Sequence, residues 1–170
     1  AMNALYRPGP MQFIESFIKR KHGEEPITYL HPGLENSLKS TYGILIYQEQ
    51  FMQASKEWCG FTGGQADTLR KAVGKKKVDL MKAEKQCFLY GKPAENGNPA
   101  IPGAIKKGVP KEVAEQVWGE MENFAKYAFN KSHSACYAAL AYKTAYLKTY
   151  YGAEFMAATL NRFLGNLDKV

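Results

Sequence analysis

Residues 129–137 hold a dense set of side chains that could bind a phosphate group. They place an amide, a cation, two hydroxyls and an imidazole immediately before an alanine-rich stretch that predicts a helix. The start of a helix offers free backbone N–H groups and the positive end of the helix dipole, and both attract phosphate. We therefore predict phosphate contacts from Lys131, Ser132 and His133. Tyr137 follows within about the first turn of that helix, where its ring could stack on a base.

A second cationic cluster lies at residues 69–77. At 100° per residue, Arg70, Lys71, Gly74 and Lys75 share one face of a helix. The missing side chain of Gly74 would let a bulky ligand approach the backbone. Arginine suits a bidentate phosphate contact, and lysine adds a point charge. We therefore predict phosphate contacts from Arg70, Lys71 and Lys75.

Both clusters also have ordinary structural explanations. Ser132 or Ser134 would cap a helix that starts after it, and His133 would make a structural hydrogen bond. A run of lysines often forms a solvated helix face, and Lys76 and Lys77 fit that description or a contact to the backbone of a DNA duplex. Two cationic elements about sixty residues apart nevertheless indicate a polyphosphate ligand, either a nucleotide or a nucleic acid.

Composition agrees with a soluble domain that has polyanionic partners. The chain has 170 residues, of which 45% are hydrophobic, and its formal net charge is +7. Eight lysines and arginines against two acidic residues lie between positions 68 and 92, so most of the surplus charge is in one segment. Three widely spaced cysteines predict neither a disulfide framework nor a zinc site. We expect a reducing, cytoplasmic setting with no membrane partner.

The hydrophobic pattern predicts a mainly α fold. Helices are predicted at residues 11–22, 34–40, 47–58, 65–73, 78–90 and 154–164. A further helix would begin at residue 110, and another would follow a turn at residues 129–134 and end at residue 151. Val113, Val117, Met121 and Phe124 would form one buried stripe, and Tyr142, Tyr146 and Tyr150 a ridge that is usually core. Residues 1–10 predict a rigid lead-in. The glycine- and proline-rich residues 91–108 predict a loop or flexible insertion.

Several catalytic signatures are absent from the sequence. It has no GxxxxGK[ST] loop, no HExxH motif and no GxSxG motif. It also lacks a close pair of aspartates on apolar strands, which two-metal phosphoryl transfer would need. We therefore predict that the chain binds a triphosphate but contains no catalytic residue and no metal ligand.

Five motifs in order resemble one family, the bacterial C-family replicative DNA polymerases typified by the alpha subunit of DNA polymerase III. They are residues 4–11 (ALYRPGPM), 41–44 with 47–50 (TYGI, YQEQ), 66–76 (ADTLRKAVGKK), 129–133 (FNKSH) and 146–148 (YLK). The resemblance implies a single helical fingers domain over residues 1–170, excerpted from a longer chain. Residues 1–10 would connect it to the palm.

The resemblance also implies roles for individual residues. Arg70 and Lys71 would hold the triphosphate of the incoming dNTP, although the family commonly has a second arginine where this chain has Lys71. Tyr137 would pack near the nascent base pair, and the pocket would be shaped by Asn130, Lys131, Ser132 and His133. The aspartates that bind Mg²⁺ would precede residue 1, and the clamp-binding elements would follow residue 170.

The expected partners are the incoming dNTP, primer–template DNA, the remainder of the polymerase chain and replisome subunits such as the sliding clamp. Two other interpretations stay open from the residues alone. One is a stand-alone helical DNA-binding module without a nucleotide pocket, which would bind DNA with a steep salt dependence. The other is a helical protein-interaction domain whose lysines serve solubility.

Overall fold

The computed structural model describes residues 1–74, 78–125 and 127–165, which form helices joined by loops. The α-helices are α1 (Met2–Leu5), α2 (Ile14–His22), α3 (Glu35–Leu38), α4 (Gln48–Cys59), α5 (Gly63–Gly74), α6 (Val78–Tyr90), α7 (Lys111–Ala125), α8 (Lys131–Tyr150) and α9 (Gly152–Arg162). Short 3₁₀ turns occupy Pro10–Phe13, Pro32–Leu34 and Lys39–Thr41. Among the described residues, β pairing is limited to isolated bridges. The predicted mainly α fold is confirmed.

Most helix positions agree with the sequence pattern, and one boundary near the candidate site does not. Helices α4 and α6 lie within a residue of the predicted ranges. The predicted turn at residues 129–134, however, is wrong beyond Asn130, because α8 already begins at Lys131. Ser132 and Ser134 therefore lie inside the helix and do not precede it as caps.

The chain forms two compact units, residues 1–131 and residues from 132 onward. The core of the first unit is built from apolar faces of α4, α5, α6 and α7. Its members include Phe51, Trp58, Leu69, Phe88, Leu89, Val117, Trp118 and Met121. The predicted α7 stripe is confirmed for Val117 and Met121, whereas Val113 and Phe124 are only partly buried. A smaller cluster joins Leu5 and Phe17 to Ile44, Ile46 and Tyr47, so the lead-in packs beside the segment that enters α4.

Residues 91–108 form the predicted irregular loop, and hydrogen bonds tie it to the core of the first unit. Lys92 and Ile101 exchange a pair of backbone hydrogen bonds of 2.8 Å each. The N–H of Gly103 donates to the carbonyl of Cys59 at 3.0 Å, and the N–H of Ala104 donates to Phe88 at 2.8 Å. Ile101 and Ala104 are buried as a result of this docking.

The second unit contains α8 and α9, and its tyrosine ridge is not core. Tyr142, Tyr146 and Tyr150 are 73%, 47% and 68% exposed, so the prediction that they are buried is wrong. The ring centroids of Tyr146 and Tyr150 lie 4.7 Å apart, so the two rings contact each other. The i, i+4 spacing correctly places the three tyrosines on one face of the helix. It does not determine whether another element covers that face.

Candidate functional site

The start of α4 (residues 47–50) is fixed by a buried glutamine. Gln50 is only 5% exposed. Its Oε1 accepts hydrogen bonds of 2.9 Å from the backbone N–H groups of Ile46 and Tyr47. Its Nε2 donates to the Ser37 carbonyl at 3.1 Å and to Thr41 Oγ1 at 2.6 Å. All four hydrogen-bonding positions of the amide are used, so the first turn of α4 has a fixed position within the unit.

Arg70, which α5 carries, is held by its own helix and by α4. Its Nε and Nη2 lie 2.8 and 2.7 Å from Asp67 Oδ1. Its Nη1 donates to Gln48 Oε1 at 3.3 Å. The side chain is 30% exposed, so it is partly buried and still accessible to solvent. Arg70 therefore presents its planar group from a restrained position at the junction of α4 and α5.

Asp67 also binds the second cation of the predicted pair. Lys71 Nζ lies 2.7 Å from Asp67 Oδ2, and the Lys71 side chain is 59% exposed. The hydrogen bonds from Lys71 and Arg70 hold the pKa of Asp67 below its usual value, so its carboxylate is charged at neutral pH. One carboxylate shared by two cations leaves the trio with a net charge of +1, which still favours an anion.

Lys131, the first residue of α8, contacts Glu49, which follows Gln48 in α4. Its backbone N–H donates to both carboxylate oxygens of Glu49, at 3.1 and 3.0 Å. Its Nζ lies 5.9 Å from the centroid of the Tyr47 ring, within range of a cation–π contact. A carboxylate from 82 positions earlier thus satisfies the first N–H of α8, a group that a helix leaves without an intrahelical partner. This contact explains why α8 can begin at Lys131 without a serine cap.

The segment that leads into Lys131 is held by Arg7. The Arg7 guanidinium carbon lies 4.5 Å from the centroid of the Phe129 ring. Arg7 Nη2 also donates to the Tyr127 carbonyl, and the backbone N–H of Gln48 donates to the Phe129 carbonyl at 3.0 Å. These contacts indicate that Arg7 positions the segment that enters α8.

Gln48 and Glu49 were the residues that the sequence-based site prediction missed. They connect its two cationic elements within the first unit, Gln48 through Arg70 and Glu49 through Lys131. The signal that could have found them is the polar run at residues 48–50 between apolar neighbours. Only the fold shows which helices those side chains reach.

The other predicted residues have more varied positions. Asn130 is exposed and immediately precedes α8. Ser132 and His133 are exposed within the first turn of α8, in the second unit. The ring centroids of His133 and Tyr137 lie 4.6 Å apart, and Tyr137 is 54% exposed. Lys75, Lys76 and Lys77 lie outside the described residues.

Metal binding needs a cluster of ligands, and a membrane span needs a long apolar helix. Residues 1–74, 78–125 and 127–165 bring together no group of three or more His, Cys, Asp or Glu side chains that could hold a metal ion. In the same ranges, no helix combines the length and the apolar composition that a bilayer span requires.

The fold and the site define a helical domain in which Arg70 and Lys131 are both held by residues at the start of α4. A family model described as the bacterial DNA polymerase III alpha subunit finger domain matches residues 1–96. The chain is 49% identical to DNA polymerase III subunit alpha of Aquifex aeolicus, over 99% of this chain and 14% of that protein. It is 48% identical to the protein of the same name from Borreliella burgdorferi, over 100% of this chain and 14% of that protein.

A third relative gives the same result. DNA polymerase III subunit alpha of Pasteurella multocida is 45% identical over 100% of this chain and 14% of that protein. The chain therefore belongs to the finger-domain family of the bacterial DNA polymerase III alpha subunit. It spans about 14% of the length of these relatives.

Proposed function

We propose that this chain is the fingers part of a longer cytoplasmic DNA polymerase, where it binds the triphosphate of the incoming dNTP and contacts the primer–template. The observation that carries the proposal is the restrained position of Arg70 beside Lys71. Family membership supports the same function. The longer chain would carry out DNA-templated nucleotidyl transfer and bind replisome subunits such as the sliding clamp through its other parts.

Arg70 is suited to bind phosphate because its guanidinium is already oriented. A guanidinium has five N–H donors in a planar fork. Arg70 directs three of them at Asp67 and Gln48, which leaves at most two for a phosphate oxygen. Preorganised donors lose little conformational entropy when the ligand arrives. Lys71, more exposed on the same helix, would add a mobile point charge.

Lys131 would supply a third cation through its Nζ. Its backbone N–H already has the carboxylate of Glu49 as an acceptor, so the side chain is the part available to a phosphate. Ser132 and His133 would add polar contacts, and Asn130 would help to shape the pocket. Tyr137 would pack near the nascent base pair through its exposed ring. We assign Lys75 to the triphosphate and Lys76 and Lys77 to the DNA backbone.

The reaction itself would need groups outside the described residues. Phosphoryl transfer of this class uses Mg²⁺ held by carboxylates. The described residues do not fit such a site, because no suitable cluster of ligands occurs among them. We expect the Mg²⁺ ligands in the palm of the longer chain, and we expect the 170 residues alone to be inactive.

The test is whether the next correct dNTP stabilises the polymerase on a primer that ends in a dideoxynucleotide. The full-length polymerase should dissociate more slowly when that dNTP is present, and Arg70→Ala should weaken the response while binary DNA affinity stays within about twofold. Arg162→Ala, which removes the same charge from an exposed position on α9, is the matched control. A stand-alone DNA-binding function predicts instead that Arg70→Ala lowers DNA affinity and that dNTP has no effect.

A further inference from the structure

We propose that Gln48 and Glu49 are positioning residues of the triphosphate site, which they serve by setting Arg70 and Lys131 in a fixed relation to each other. The inference rests on the proposed function of those two cations. Gln48 and Glu49 are neighbours in the first turn of α4. One contacts the cation of α5 and the other contacts the residue that begins α8.

Gln48 acts on Arg70 from outside its helix. Asp67 holds the guanidinium through Nε and Nη2, but Asp67 lies only three positions away on α5. That pair alone would let the guanidinium move with the flexible ends of two side chains. The Gln48 oxygen accepts from Nη1 at 3.3 Å and ties the same group to α4. A neutral acceptor restrains the cation without cancelling its charge, so the guanidinium keeps its affinity for phosphate.

Glu49 acts on the backbone of Lys131. Its two oxygens share one N–H, at 3.1 and 3.0 Å. A carboxylate at the first N–H of a helix is also favoured by the helix dipole. The contact fixes the position of the Lys131 backbone, from which the side chain extends past Tyr47.

The start of α4 is rigid enough to relate the two cations. Gln50, in the same turn, is buried and fully hydrogen-bonded. The backbone N–H of Gln48 is bound to the Phe129 carbonyl, two residues before Lys131. A shift of the backbone that carries Gln48 and Glu49 would therefore break buried hydrogen bonds of Gln50.

Glu49 is suited to positioning and not to direct phosphate contact. Its carboxylate would repel a triphosphate, and both of its oxygens already face the Lys131 N–H. Its effect on a nucleotide must then pass through Lys131. Gln48 directs its side-chain oxygen at Arg70, and this acceptor can affect a nucleotide only through the guanidinium that it holds.

The experiment measures single-nucleotide incorporation by the full-length polymerase across dNTP concentrations, with primer–template affinity and Tm determined for each variant. Gln48→Ala and Glu49→Ala should each raise KM for dNTP by about threefold to tenfold, the effect of one ordinary hydrogen bond. The value of kcat should stay within about twofold. Glu49→Gln keeps an acceptor oxygen at the same length and should restore most of the wild-type KM.

Double variants test whether each residue acts through its cation. Gln48→Ala should add nothing in an Arg70→Ala background, and Glu49→Ala should add nothing in a Lys131→Ala background. Gln53→Ala is the matched control, because Gln53 is a glutamine of α4 that donates to Glu57 on the same helix. It should leave KM unchanged.

The outcomes separate the inference from the proposed function. If Arg70→Ala raises KM while Gln48→Ala and Glu49→Ala behave like Gln53→Ala, the inference is overturned and the proposed function stands. Fully additive effects in the double variants would also overturn it. If Arg70→Ala itself leaves KM unchanged, the proposed function fails. Should Glu49→Ala lower Tm enough to obscure the kinetics, Gln48→Met, which keeps the side-chain length without the amide, decides between the outcomes by the same KM criterion.

Discussion

Both carboxylate oxygens of Glu49 lie within hydrogen-bonding distance of the backbone nitrogen of Lys131, at 3.1 and 3.0 Å. The helix start that sequence reasoning assigns to phosphate is thus already paired with an anion of the same chain. A phosphate that binds in this region, as proposed, would then meet side chains such as Lys131 Nζ and not the first backbone N–H. Arg70 and Lys71 are therefore the main candidates for phosphate contact. The Arg70 guanidinium contacts α4, and the Lys71 side chain is exposed to solvent.

Removal of the Gln50 side chain should destabilise the fold strongly. Gln50→Ala would leave the buried N–H groups of Ile46 and Tyr47 without their acceptor. Each such loss costs about 1–3 kcal/mol, so for the two together we expect about 2–6 kcal/mol and a Tm lower by roughly 10 °C. Urea or thermal unfolding of the 170-residue chain measures this effect. Gln53→Ala on the same helix should cost less than about 1 kcal/mol, and equal losses for the two variants would contradict the account.

The docked loop depends on two glycines that approach each other closely. Gly103 has φ +82°, and a Cβ there would lie 2.3 Å from the backbone nitrogen of Gly91. Gly103→Ala should therefore combine left-handed strain with a backbone overlap and lower stability by about 3 kcal/mol or more. Urea denaturation measures the difference.

Gly97 is the control for the conformational part of that effect. It also has a positive φ, +75°, but a Cβ added there would meet no atom within 4 Å among the described residues. Gly97→Ala should cost only the strain, about 1–2 kcal/mol. If Gly103→Ala is no more destabilising than Gly97→Ala, the loop does not pack as described.

The helices of the first unit could be predicted well from sequence because their apolar residues repeat at helical spacing. Val117 and Met121 were assigned to the core on that pattern alone, and α6 has the predicted limits. The start of α8 could not be predicted, since the acceptor for its first N–H is Glu49, 82 positions away. Long-range contacts of this kind leave no local pattern.

The candidate site was predicted in part for a similar reason. Residue type and helix face were enough to select Arg70 and Lys71, and the structure places both on Asp67. The polar run at residues 48–50 does not show that Gln48 reaches Arg70, because that contact exists only when α4 and α5 pack together. The ridge of Tyr142, Tyr146 and Tyr150 has a clear local pattern, which predicted burial, but the three side chains are exposed. In this case the local pattern did not determine burial.

Stability should depend on pH through Glu84. Burial of this half-buried side chain raises its pKa above the usual value, and nearby Lys92 opposes the effect only in part. The folded state then keeps the proton to a higher pH than the unfolded chain does. The folded state therefore loses stability as pH rises from about 4.3, the ordinary glutamate pKa, through the raised value.

Glu84→Gln should remove that loss. We expect a higher Tm at pH 7, where the wild-type carboxyl has lost the proton that the folded state favours, and little difference well below pH 4. Thermal melts across this range measure the effect. Glu122→Gln, at an exposed position on α7, should show no such pH-dependent gain. A lower Tm for Glu84→Gln at pH 7 would contradict the assigned direction.

Single-nucleotide incorporation by the full-length polymerase tests the central claim most directly, with Arg70→Ala compared with wild type and with Arg162→Ala. A charge-assisted contact to phosphate contributes about 1.5–3 kcal/mol, so kcat/KM for dNTP should fall by about 10-fold to 100-fold. Primer–template affinity should stay within about twofold, and Arg162→Ala should resemble wild type. A loss of DNA affinity with unchanged dNTP dependence would contradict the account and would make the α5 cations a contact to the duplex.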